Sequence, residues 1–210
     1  MVTRIFEIFN IIGSEWVMWI MMILSVISLA VIFERFRNLR SQERVGALLW
    51  KEEIEGWMKS GEFNQTASSA AELAQKYPCL EAGLIEVLLA SKKTDKHDLS
   101  LLMSSYLGRK RIDLDKNLSF LGTLGSNTPF IGLFGTVLGI IQAFHDIGAG
   151  GGGEGGAANV SAGLSEALVA TAIGLLVAIP SIIFFNFFQR KIKTIISRAD
   201  SLGQFIISSL

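Results

Sequence analysis

Residues 16–33, WVMWIMMILSVISLAVIF, carry no charge, and this run limits the fold more than any other feature of the chain. A segment of about 20 predominantly apolar residues spans the hydrocarbon core of a bilayer as a helix. Residues 16–33 therefore predict a first transmembrane helix. A cleaved signal peptide would place positive charge before a shorter apolar core and small residues after it. Here Glu34-Arg35-Phe36-Arg37 follows, so the helix is expected to be retained. Composition agrees with a membrane protein: of 210 residues, 50% are hydrophobic and 18% charged.

Two more spans follow, within 118–144 (LSFLGTLGSNTPFIGLFGTVLGIIQAF) and 161–188. Segments of this length reach about 42 Å at about 1.5 Å per residue, against a core of about 30 Å. They either tilt or project beyond the lipid. Orientation follows from the cations beside the spans. Arg35, Arg37, Arg40 and Arg44 follow the first; Arg109, Lys110, Arg111 and Lys116 precede the second; Arg190, Lys191, Lys193 and Arg198 follow the third. On the other side stands Arg4 alone. The expected order is an external N-terminal segment (1–15), transmembrane helix 1 (16–33), a cytoplasmic helical domain (34–117), transmembrane helix 2 (118–144), a Gly-rich external loop (145–160), transmembrane helix 3 (161–188) and a cytoplasmic C-terminal helix (189–210). The fold class is all-α.

Within the cytoplasmic part the pattern is helical throughout. Val45, Leu48, Leu49, Ile54, Trp57 and Met58 recur at helical spacing, with Gly61 as the stop. Pro78 separates a helix ending near Lys76 from one over 80–90, and a polar stretch, SKKTDKHD, precedes a fourth helix. With no breaker before Gly108, that fourth helix is free to run into the second span as one rod. The loop HDIGAGGGGEGGAANV lacks the Lys and Ser or Thr of a phosphate-binding loop and follows no strand, which leaves a flexible connector.

Several functions find no support. A formal net charge of zero argues against nucleic acid as a partner. The single cysteine, Cys79, excludes an intrachain disulfide framework and a cysteine metal cluster. His97 and His145 have no partner at metal-ligand spacing, and no nucleophile–base pair stands out. Neither an enzyme nor a cofactor is expected.

The chemistry lies in the second and third spans. The second carries Gly122, Gly125, Gly132, Gly135 and Gly139 with Ser126, Asn127, Thr128 and Thr136; the third carries Gly163, Ala167, Thr171, Gly174, Ala178 and Ser181 along one stripe. Small residues let helix backbones approach closely, and hydroxyls or amides can bond across the contact. Pro129 and Pro180 each remove a backbone hydrogen bond and read as packing kinks before hinges. Glu166 is costly within hydrocarbon unless it faces a cavity, a partner or an ion path. Its alternative is a place near the interface, favoured by the helix N-terminus. At about 100° per residue, Glu166 and Thr171 point about 140° apart. Several helices around a common axis would be needed to use both.

The stretch LGTLGSNTPFIGLFGTVLGIIQAF, followed by VSAGLSEALVATAIGLLVAIPSIIFFNFFQR, resembles the MotA/TolQ/ExbB proton-channel family, and most of all its ExbB and TolQ branches. The resemblance implies a homo-pentamer in the bacterial inner membrane, with a pore made by the second and third spans and the first outside. It further implies two copies of a single-span ExbD/TolR-like partner in that pore, carrying an essential Asp, and a TonB- or TolA-like energy transducer. By position, Thr136, Glu166, Thr171 and Asn186 match the family's polar pore-lining residues. Two other readings stand beside this one: a flagellar MotA-like stator, for which an additional span is missing, and a non-conducting membrane scaffold.

Overall fold

The computed structural model describes residues 15–60, 66–91, 95–150 and 155–209, and no strand occurs among them. The Gly61 stop, the external segment up to Ser14 and the centre of the Gly-rich stretch lie outside the described residues. The helices are α1 (Glu15–Leu49), α2 (Glu55–Ser60), α3 (Ala67–Lys76), α4 (Leu80–Ala90), α5 (Lys96–Asp115), α6 (Leu118–Gly150) and α7 (Gly155–Ser209), with a π-helical turn at Trp50–Ile54 after α1. Three of them, α1, α6 and α7, contain segments long and apolar enough to cross a membrane.

Local chemistry accounts for the boundaries. Thr66 caps α3 through a reciprocal capping box with Ser69, and Asp95 accepts from the His97 N–H at the start of α5. Pro78 stands between α3 and α4. The single rod expected from α5 into the second span is interrupted, because Asn117 adopts φ 62°, a left-handed conformation that ends a helix and that Asn tolerates better than most residues.

The chain divides into two compact units, Met1–Ile32 with Asn117–Phe185, and Phe33–Lys116 with Asn186–Leu210. In the first, α6 packs antiparallel on α7 with a register that runs from one end of the contact to the other. Gly122 faces Phe185 and Gly125 faces Ile182; Gly132 faces Ala170, Thr171 and Gly174, Gly139 faces Ala167, and Gly163 faces Ala143. A Cβ on Gly132 would stand 2.9 Å from the Ala170 carbonyl oxygen and 3.0 Å from the Thr171 Cα, and one on Gly174 would stand 2.9 Å from the Thr128 carbonyl oxygen. These are backbone atoms, which cannot step aside. Helix α1 closes one flank through a cluster of Val17, Met21 and Leu138, joined by Trp16, Leu24, Ile131 and Ile173.

Both prolines sit inside continuous helices, Pro129 in α6 and Pro180 in α7. Beside each, a buried hydroxyl returns to its own helix: Thr128 donates to the Leu124 carbonyl and Ser181 to that of Val177, both at 2.7 Å. Ser126 and Asn127 likewise bond carbonyls of α6. The bond between helices comes from Ser181 and Ser28 of α1, buried with their oxygens 2.9 Å apart.

In the second unit, Leu84, Ile85 and Leu88 of α4, Met103 and Leu107 of α5, and Ile192, Leu202 and Ile206 of α7 form a core. Lys191 pairs with Glu43 of α1 at 2.5 and 2.8 Å.

Gly132→Ala is expected to destabilise by about 1–3 kcal/mol, the usual cost of overpacking. Gly108→Ala, where a Cβ meets nothing within 4 Å, should stabilise by about 0.5–1 kcal/mol through helix propensity. Thermal midpoints in one detergent compare the two signs.

Candidate functional site

Of the four polar positions picked out in the sequence, two are brought to one level. Gly135 faces Ala170 and Gly132 faces Thr171, so Thr136 of α6 and Thr171 of α7 lie at the same height of the antiparallel pair. Their direction follows from the helix period. At about 100° per residue, Thr136 points about 140° from Ile131 and about 160° from Leu138, and Thr171 about 160° from Ile173. Ile131, Leu138 and Ile173 all belong to the cluster around α1. Both threonines therefore lie on the flank of the pair away from α1.

Their hydroxyls differ. Thr136, 8% exposed, donates to the Leu133 carbonyl at 2.7 Å and is left with acceptor lone pairs. The Thr171 Oγ1 is buried and has no hydrogen-bond partner. A buried hydroxyl costs about 1–3 kcal/mol when it is left without a partner, whether protein or water. It can both donate and accept.

Glu166 is exposed on α7 and sits two turns before Ile173, on the same face and not on the flank of the threonines. Asn186 is exposed and belongs to the second unit. The glycines singled out in the sequence hold the contact beneath: Gly132 and Gly174 at its centre, Gly135 against Ala170 and Val17, Gly139 against Ala167.

One group escaped the sequence reading. Glu81 in the first turn of α4 is 2% exposed. Its carboxylate lies against the backbone of α1 at Gly46, where a Cβ would stand 3.1 Å from both oxygens. Burial raises its pKa, opposed by its own backbone N–H, the Cys79 thiol and the charge of Arg198. The same burial pushes the Cys79 thiol up to about 11 and the Tyr106 phenol up to about 12. No signal near Glu81 could have found this, since the space is made by a glycine on another helix.

A scan against protein-family models matches residues 72–201 to the MotA/TolQ/ExbB proton channel family. The chain belongs to this family. Among curated proteins, the biopolymer transport protein ExbB of Helicobacter pylori is 51% identical over 80 residues, 38% of this chain and 54% of that protein. The ExbB of Xanthomonas campestris is 32% identical over 183 residues, 82% of this chain and 70% of its own. The Tol-Pal system protein TolQ of Pseudomonas aeruginosa is 41% identical over 92 residues, 44% and 39% of the two chains. The chain thus spans about half the length of the Helicobacter pylori ExbB, 54%. The stretch matched to the proton-channel family holds α6, most of α7 and all four polar positions; the first span lies before it.

Two outcomes follow from this geometry. Thr171→Val removes the unpartnered hydroxyl at nearly constant shape, and the chain should unfold at an equal or higher temperature, by up to about 1–3 kcal/mol. For Glu81, a raised folded pKa means that its stabilising form is the protonated one, present in full below the ordinary 4.5 and lost as pH rises through the folded value. Wild type should therefore gain stability on acidification from pH 8, and Glu81→Gln should be more stable than wild type at pH 8 with a flatter profile, as melting curves across pH would record.

Proposed function

We propose that this chain is the pore-forming subunit of a bacterial inner-membrane complex that converts proton flow into work on envelope proteins. Five copies surround a central pore walled by α6 and α7, with the first span outside and a dimer of a single-span ExbD/TolR-like partner within. The N-terminus lies in the periplasm, the C-terminus and the helical domain in the cytoplasm. A TonB- or TolA-like transducer receives the work.

The observation that carries this reading is the pair Thr136 and Thr171, at one level, on the flank free of α1, with the Thr171 hydroxyl buried and unpartnered. Around the threonines that flank is apolar, with Leu133 and Ile140 of α6 and Leu164, Leu168 and Leu175 of α7 exposed within about 60° of them, a surface on which a partner helix can rest. The Thr171 hydroxyl can accept from a protonated water and donate to the next one, and Thr136 offers lone pairs beside it. Glu166, nearer the outer end but turned about 140° from Thr171, does not line the wall beside the threonines; one carboxylate from each of five copies adds negative charge around the outer mouth and raises the local concentration of cations. Asn186 stands near the inner end of the third span. None of these groups has to titrate in each cycle; the proton carrier is the partner's Asp.

Proton flux into vesicles holding the chain with its partner tests the reading. Thr171→Ala should cut flux at least tenfold with assembly intact, and Glu166→Gln should cut it most at low ionic strength, where charge is least screened. Full flux in both variants would remove the transport role, and no flux from the wild-type complex would favour a scaffold.

A further inference from the structure

We infer that the cleft between α5 and the part of α7 that follows the third span holds the phosphate of an anionic phospholipid. The cleft, of about 590 Å³, has Leu107, Ile192 and Ile196 as its apolar lining and Arg111, Arg190 and Lys193 as its cations. It is open because Gly108 contributes no side chain there; a Cβ on that residue would meet nothing within 4 Å.

Three observations choose the ligand. First, the cations are available: among the described residues neither Arg190 nor Lys193 makes an ion pair, and Arg111 reaches Asp115 only at 3.8 Å with its side chain 66% exposed. Second, their height fits a headgroup. Arg190 and Lys193 lie two and five residues past Phe188, about 3 and 7.5 Å along the helix, within the polar layer that flanks the hydrocarbon. Third, the source stands at the same level: each Lys or Arg near the surface attracts anionic headgroups of the cytoplasmic leaflet, and the guanidinium forks fit their phosphate, while Leu107 and Ile192 are covered by the core and leave the acyl chains in the bilayer. Asp200, the one acid in the lining, is about 10 Å further along the helix than Lys193 and opposes the phosphate weakly.

This site needs only that the chain crosses a membrane, so it stands or falls apart from ion transport. The test is native mass spectrometry of the full-length chain released from vesicles of equimolar phosphatidylglycerol and phosphatidylcholine. Wild type should retain phosphatidylglycerol about tenfold over phosphatidylcholine. The variant Arg111→Gln/Arg190→Gln/Lys193→Gln should fall to near parity. Arg37→Gln/Arg40→Gln, which removes two cations beside the first span, should keep the preference. Gly108→Leu, which fills the cleft and leaves its charge, should lose it, with a thermal midpoint no lower than that of wild type to show that the effect is not one of misfolding. Retained preference in the triple variant, equal loss in both charge variants, or displacement of the lipid by millimolar inorganic phosphate would overturn the assignment.

Discussion

Everything in the membrane unit depends on the contact of backbone on backbone where Gly132 of α6 meets Gly174 of α7. Lipid supplies no hydrophobic drive between helices, because its tails are as apolar as leucine. What remains is dispersion, which falls off within a fraction of an ångström, so two spans hold together only if they touch over a long distance. The register from Gly122 against Phe185 to Gly163 against Ala143 provides that length. The hydrogen bond of Ser28 to Ser181 then fixes α1 on one flank. Among the described residues no helix covers the other flank, and it carries Thr136 and Thr171.

The close contact and the site are thus one feature seen from two sides. Bulky residues at the crossing would separate the helices and spread the threonines; glycine keeps them at one level. At that level the Thr136 hydroxyl turns to its own helix at Leu133, and the Thr171 hydroxyl is left without a bond. In the second unit the relation is reversed. There a missing Cβ at Gly46 makes room for a carboxylate instead of a helix, and Glu81 is buried against α1 as a result.

Much of this was legible in the sequence, for reasons that differ from one element to the next. The three spans could be read because apolar length is a local property, and the family because its motif lies in one continuous stretch. The small-residue stripes announced close packing, and the helix Leu80–Ala90 begins and ends where Pro78 and the polar run place it. The break at Asn117 was not legible, since one left-handed residue leaves no periodic trace. Nor was the direction of the hydroxyls: Ser126 and Asn127 suggested bonds across the helix contact, yet both turn back to their own backbone, the nearer acceptor. The difference between Thr136, satisfied by Leu133, and Thr171, satisfied by nothing, belongs to the packed pair and cannot be seen in either segment alone.

The central claim is that the flank carrying the two threonines faces water and ions, while the exposed side of α1 faces lipid. Its most direct measurement is the reaction of a membrane-impermeant thiol reagent with Thr171→Cys and Val26→Cys in the assembled complex, with buried Cys79 as the slow background. Thr171→Cys should react, and its modification should stop proton flux, while Val26→Cys, 66% exposed on α1, stays unmodified. Rapid modification at Val26 with none at Thr171 would contradict the assignment of the pore to this flank.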